Sequence, residues 1–217
     1  MDFKSKKDIV FLILAGFFIT NAIVAEIIGG KLVNFFGLFT QSIGIILWPV
    51  VFLLTDLMNE HFGKEGVRKL TFITVGLIIY IYLLLYVAMK IPAVPFSPVN
   101  DMVFNTVFGQ SQWIIIGSIT AFILSQIVDV YTFWLIRKAT GKYLIWLRST
   151  GSTAISQLID TFVVQFIAFV LPGYWKFSEF VENALYGYTF KLIVAVCLIP
   201  FIYLGHYIIE KFVPSHE

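Results

Sequence analysis

Six apolar stretches, each about 20 residues or longer, limit what this chain can fold into. A helix of about 20 such residues crosses the ~30 Å hydrocarbon core of a bilayer. The stretches cover about 8–29, 41–59, 70–89, 113–136, 151–171 and 186–209. Of the 217 residues, 59% are hydrophobic and 13% charged, and mean hydropathy is +0.90. A soluble domain of this length cannot bury so much apolar surface. In lipid each backbone N–H and C=O must be satisfied within its own segment, which makes each stretch a helix. The expectation is an all-α, polytopic membrane protein: a single domain over residues 1–217 with six transmembrane helices.

Lys4, Lys6 and Lys7 before the first stretch resemble the basic start of a signal peptide. The apolar run that follows is long, and five more come after it, so it reads as a retained first span. Basic residues alternate between the connections. Lys4, Lys6, Lys7, Lys64, Arg68, Lys69, Arg137, Lys138, Lys142, Arg148 and Lys211 fall on one side. Of the 15, that leaves Lys31, Lys90, Lys176 and Lys191 for the other. The positive-inside rule then places both termini in the cytoplasm. The net charge of +2 is too small to suggest nucleic acid, and the single cysteine, Cys197, allows no internal disulfide.

Two outer connections are more than linkers. Residues 91–112 carry Pro92, Pro95 and Pro98, then Val99, Met102, Val103 and Val107 at helical spacing with Phe108 beside them. Such a segment reads as a lid or as a passive interfacial helix. Pro172, Gly173, Tyr174 and Trp175 end the fifth span with a turn and aromatic anchors, and Ser178 with Glu179 is a candidate N-cap beyond it.

Polar residues inside spans are costly and mark function. Ser125-Gln126-Ile127-Val128-Asp129 returns 31 residues later as Ser156-Gln157-Leu158-Ile159-Asp160. On a helix the Ser, Gln and Asp of each copy share a face. The fourth and fifth spans therefore each carry a polar stripe, and the two stripes are expected to look at one another or into a shared cavity. Asn21 and Glu26 in the first span, Gln165 in the fifth and Lys191 early in the sixth add to this lining. Asp56, Asn59 and Glu60 share one face at the end of the second span and suit a gate or coupling site.

Blander roles compete with each of these. Ser125 and Ser156 suit interhelix packing, as do Gly117, Ser118, Gly151 and Ser152. Asp56 and Glu60 lie within reach of Lys64 and Arg68, where a structural ion pair would serve as well. Glu26 and Lys191 could pair with each other. His61 lacks a second His four residues on, so no zinc motif forms, and His206 reads as an interfacial residue. No nucleophile elbow, phosphate loop or Cys/His cluster is present, which argues against an enzyme and gives no metal or cofactor site.

Carboxylates, carboxamides and aromatic rings together suit a small, flat, polar heterocycle that offers adjacent N–H donors. Residues alone reach a small-solute membrane transporter. The blocks 49–60, 125–130 and 151–161, with Tyr188-Thr189-Phe190-Lys191, resemble the signature blocks of the queuosine precursor transporter family. The resemblance covers nearly the whole chain. It implies a six-helix carrier in a bacterial or archaeal inner (plasma) membrane that imports precursors of a modified tRNA base. Those are 7-cyano-7-deazaguanine, 7-aminomethyl-7-deazaguanine or queuine. It also implies a helical arrangement like that of the substrate-binding subunits of energy-coupling-factor transporters. Those subunits commonly dock an ATPase partner through Ala-x-x-x-Ala in the first helix, whereas Ala22 and Ala25 here are three apart. A self-sufficient carrier is therefore expected, with proton coupling through a buried carboxylate as one mode.

In that picture solute enters from outside beneath residues 91–112. Asn21, Glu26, Gln126, Asp129, Gln157, Asp160 and Lys191 bind it between the first, fourth, fifth and sixth spans. The partners are a deazaguanine solute and the lipid bilayer, with no nucleic acid. Nothing in the sequence supports a homo-oligomer or an energising partner. Three readings compete: a capture subunit of an ATP-driven energy-coupling-factor transporter for a vitamin or nucleobase, an intramembrane enzyme that uses the aspartates, and a purely structural membrane protein.

Overall fold

The computed structural model of the chain describes residues 6–35, 37–140 and 145–212. The side chains of Asp56, Asn59, Glu60, Gln126, Asp129 and Ser152, each assigned a role above, lie outside the described residues. In chain order the elements are α1 (Lys6–Ile28), β1 (Leu32–Phe35), β2 (Phe39–Ser42), a 3-10 turn (Ile43–Ile46) and α2 (Trp48–Ala88). They continue with α3 (Asp101–Thr140), α4 (Ile145–Gln165), a π-helical turn (Phe166–Val170), α5 (Phe177–Cys197) and α6 (Ile199–Phe212).

In α1, Ala15, Phe18, Ala22 and Ala25 recur at three- and four-residue spacing and form its buried face. Small residues let helix backbones approach closely. Ala15, Phe18 and Ala22 pack on Val51, Leu54, Met58, Val67 and Leu70 of α2. The opposite face shows Leu12, Ile13 and Phe17 to the surroundings. Such large exposed apolar residues are at home against lipid tails. Lys6–Ile28, Glu65–Ala88 and Asp101–Ser125 are long and apolar enough to cross a membrane, and Ile43–Thr55 and Ala154–Val170 are shorter apolar helices. The chain is thus a multi-pass helical membrane protein.

Four expected boundaries are corrected. The span placed at 41–59 begins later. Gln41 and Ser42 belong to an antiparallel hairpin that pairs Leu32 with Ser42 and Val33 with Gln41, and its turn holds Gly37 at φ 74. The helix starts at Trp48, with Pro49 in a first turn where a missing N–H costs no hydrogen bond. It then runs to Ala88, through the loop expected at 60–69. Only Gly63, at φ 78 and ψ 161, breaks it into two arms, both packed on α1.

Residues 101–112 form no separate helix. The Asn100 side chain caps α3 by accepting the Val103 N–H at 2.9 Å, so the apolar set there continues into the expected fourth span. The sixth span divides at Leu198, because Pro200 has no N–H for the ladder. At the start of α5 the Lys176 N–H donates to Glu179 Oε2 at 3.0 Å, so Glu179 rather than Ser178 closes that end.

The hairpin is tied down at its open end. Ser42 Oγ donates to the Gly29 carbonyl at 2.7 Å, and the Ile43 N–H donates to the Lys31 carbonyl at 2.8 Å. Gly44 lies so close to α1 that a Cβ would stand 2.6 Å from the Ala25 carbonyl oxygen. On the far side, Gly117 lets α3 meet α4, where a Cβ would stand 3.0 Å from the Val164 carbonyl oxygen. Ile114, Ala168, Phe169, Trp175, Phe180 and Ala184 form a second core beneath the α4–α5 turn.

Candidate functional site

The site is built on the polar face of α4. Gln157, Thr161 and Gln165 follow at four-residue intervals, and Asp160 stands beside them. The antiparallel α5 brings Lys191 to Asp160, with Nζ 3.0 Å from Oδ2 and side-chain exposures of 13% and 25%. Lys191 thus pairs with Asp160 and not with Glu26, the partner that the sequence offered as one alternative.

Glu26 enters from α1 and is buried. The Ser118 hydroxyl of α3 donates to its carboxyl, and Asp160 is near enough to act on it electrostatically. Ser118, assigned to packing from sequence, is part of the site. Glu26 Oε2, Gln157 Oε1 and Gln165 Oε1 are buried and accept no hydrogen bond. Buried polar atoms are nearly always satisfied, so three lone acceptors on facing helices need a reason.

One turn along α5 from Lys191, Gly187 opens a second contact. A Cβ there would stand 2.7 Å from Gln41 Nε2 and 3.0 Å from Gln165 Nε2. The absent side chain gives both carboxamides room. Gln41 Nε2 donates to the Asn183 carbonyl at 2.6 Å, and Gln165 Nε2 donates to Gln41 Oε1 at 3.0 Å. The Asn183 side chain holds the hairpin a second time, as Oδ1 accepts the Thr40 N–H at 3.0 Å. Aromatic rings cover this end: Phe39 lies 5.7 Å from Phe35, 5.7 Å from Tyr186 and 5.9 Å from Phe190.

Two residues singled out in the sequence bond within their own helices. Asn21 turns back on α1, where Nδ2 donates to the Phe17 carbonyl at 2.8 Å. Ser125 likewise donates to the Phe122 carbonyl of its own helix. At the end of the first arm of α2, His61 Nε2 and His206 Nδ1 lie 2.9 Å apart and join α2 to α6. Neither histidine was paired from sequence. Among the described residues no group of His, Cys, Asp and Glu is placed to hold a metal ion. Gln41 left no local signal, since its role depends on a contact 142 residues away. Gln165 did leave one, by sharing the Gln157 face.

Acidic, basic and amide groups gathered between the helices of a multi-pass membrane protein are the lining that a solute transporter needs. Residues 42–205 match the family described as "Putative vitamin uptake transporter". The "Probable queuosine precursor transporter" of Bacillus subtilis (strain 168) is 31% identical over 86% of this chain and 79% of its own length. The "Queuosine precursor transporter" of Escherichia coli (strain K12) is 28% identical over 73% of this chain and 69% of its own. A Haemophilus influenzae relative described as "Probable queuosine precursor transporter" is 29% identical over 74% of this chain and 66% of its own. The chain belongs to the queuosine precursor transporter family. No solved structure matches it.

Proposed function

We propose that this protein imports a 7-deazaguanine across the inner membrane: 7-cyano-7-deazaguanine, 7-aminomethyl-7-deazaguanine or queuine. It acts as a self-sufficient carrier. Six passes are formed by α1, the two arms of α2, α3, α4 with its π turn, and α5 with α6, and both termini are cytoplasmic. The observation that carries this reading is the set of buried acceptors without donors, Glu26 Oε2, Gln157 Oε1 and Gln165 Oε1, around the Asp160–Lys191 pair. An acceptor-rich lining calls for a donor-rich solute, and a deazaguanine carries ring N–H groups and an exocyclic amine. The solute donors would compete with Lys191 for Asp160, with Gln157 beside it. Gln126 and Asp129 on α3 remain candidates for the same lining. Asp56, Asn59 and Glu60 would control the cytoplasmic end.

The test is thermal stabilisation of the purified protein by the three deazaguanines, with guanine as control. A ligand that binds only the folded state adds about 2.7 kcal/mol at a hundredfold excess over its Kd. Selective stabilisation supports the reading, and none in folded protein overturns it. Uptake into liposomes that hold no other protein then tests self-sufficiency. Rates with and without an imposed pH gradient show whether protons accompany the solute.

A further inference from the structure

The carboxamides of Gln41 and Gln165 form a relay whose direction is fixed from one end. The Asn183 backbone carbonyl can only accept. Gln41 must therefore present its NH2 group to it, which it does at 2.6 Å, and its oxygen is left to face Gln165. Gln165 must in turn present its NH2 to that oxygen, at 3.0 Å. The remaining atom, Gln165 Oε1, is buried and accepts nothing. Gln41 and Gln165 are only 3% and 5% exposed, so neither amide can turn over toward water. A free carboxamide can offer a donor or an acceptor, and here the choice has been made.

Two further observations mark Gln165. The π-helical turn begins at the next residue, and such turns recur at functional sites. Gln165 also closes on the same Gly187 contact, one turn of α5 from the Asp160–Lys191 pair.

We infer that Gln165 contacts the transported solute through Oε1, accepting a ring N–H and rejecting a ring acceptor, and that Gln41 is the positioning residue that fixes this polarity. The inference rests on the deazaguanine reading and adds how one edge of the solute is selected. The Asn183 carbonyl on α5 sets which way the Gln165 amide faces, through a side chain carried by the hairpin.

The experiment measures equilibrium binding to the full chain in lipid nanodiscs. The probes are 7-cyano-7-deazaguanine and its 6-methoxy ether, in which ring N1 carries no hydrogen and becomes an acceptor. Wild type is expected to prefer the parent by tenfold or more. Gln165→Met should weaken the parent about tenfold and leave the ether unchanged. Gln41→Met retains Gln165 but frees its amide to turn, so the ether should gain affinity as the parent loses it. Gln165→Glu keeps an acceptor and should keep the preference; it serves if the methionine variant does not fold. Equal loss for both probes in the Gln165 variants would mean a structural role and would overturn the inference. An unaltered preference in Gln41→Met would overturn the positioning role. Variants that behave as wild type sink the relay and leave the transport reading intact. Failure of folded wild type to bind any of the three proposed deazaguanines overturns both.

Discussion

Lys191 Nζ stands 3.0 Å from Asp160 Oδ2, and this contact ties α5 to α4. A charge pair taken out of water is held together by its partner, and losing one member leaves the other stranded.

Lys191→Met is therefore expected to cost about 3 kcal/mol, the lower end for a buried pair, since Asp160 keeps some exposure. The double variant Asp160→Asn with Lys191→Met should recover most of that stability and still fail to transport. Melting temperatures in detergent, beside uptake in liposomes, separate the two effects. Recovery of uptake together with stability would reduce the pair to a structural strut.

Gly187→Ala places a Cβ 2.7 Å from Gln41 Nε2. Overpacking of this kind costs about 1–3 kcal/mol, and here it also pushes the relay apart. Uptake should fall with stability. Gly16→Ala is the control, because nothing lies within 4 Å of its Cβ position. Equal behaviour of the two variants in a melting assay would refute the close contact.

Gly63 holds a backbone conformation, φ 78 and ψ 161, that is nearly closed to residues with a side chain. Gly63→Ala should lower stability by about 1–3 kcal/mol although its Cβ meets no atom within 4 Å. Gly66→Ala, three residues on and within the helix, meets only ordinary contacts and should be neutral or stabilising. Chemical denaturation of both variants checks the contrast.

His61 and His206 share a hydrogen bond of 2.9 Å across α2 and α6. His206→Ala should cost about 1 kcal/mol. His61→Ala should cost at least as much, and the double variant less than the two together, because contacting residues couple. Strict additivity in the melting data would show that the pair contributes nothing.

The sequence was a good guide wherever one helix decided the outcome. The apolar runs located α1, the second arm of α2 and α3, because their length and periodicity are local properties. Asp160, Gln157, Glu26 and Lys191 stood out because ionisable and amide groups are conspicuous in apolar surroundings. The partnership of Lys191 could not be read, since Glu26 and Asp160 were both acceptable on charge alone and only the packing of α5 on α4 decided. The hairpin escaped for another reason. Strands of four residues carry almost no periodic signal, and Phe35, Phe39 and Ile43 blend into the apolar run that follows. With it went Gln41, whose function is created by a distant carbonyl. The break at Leu198 was missed because the apolar run continues unaltered across Pro200, and near Gly63 a whole connection was expected where the chain spends a single residue.

The π turn at Phe166–Val170 bears on how relatives are to be compared. An i→i+5 turn holds one residue more than an α turn. Everything after Val170 is consequently rotated by roughly 100° from where an unbroken helix would carry it. Removing a single residue there would shorten the chain by one and restore regular winding, yet would swing Trp175 away from Phe169, on which it now stacks at 4.5 Å. A one-position gap opposite this turn in a related sequence would therefore mark a change of phase in space. Residues matched by number beyond such a gap would no longer be matched by direction.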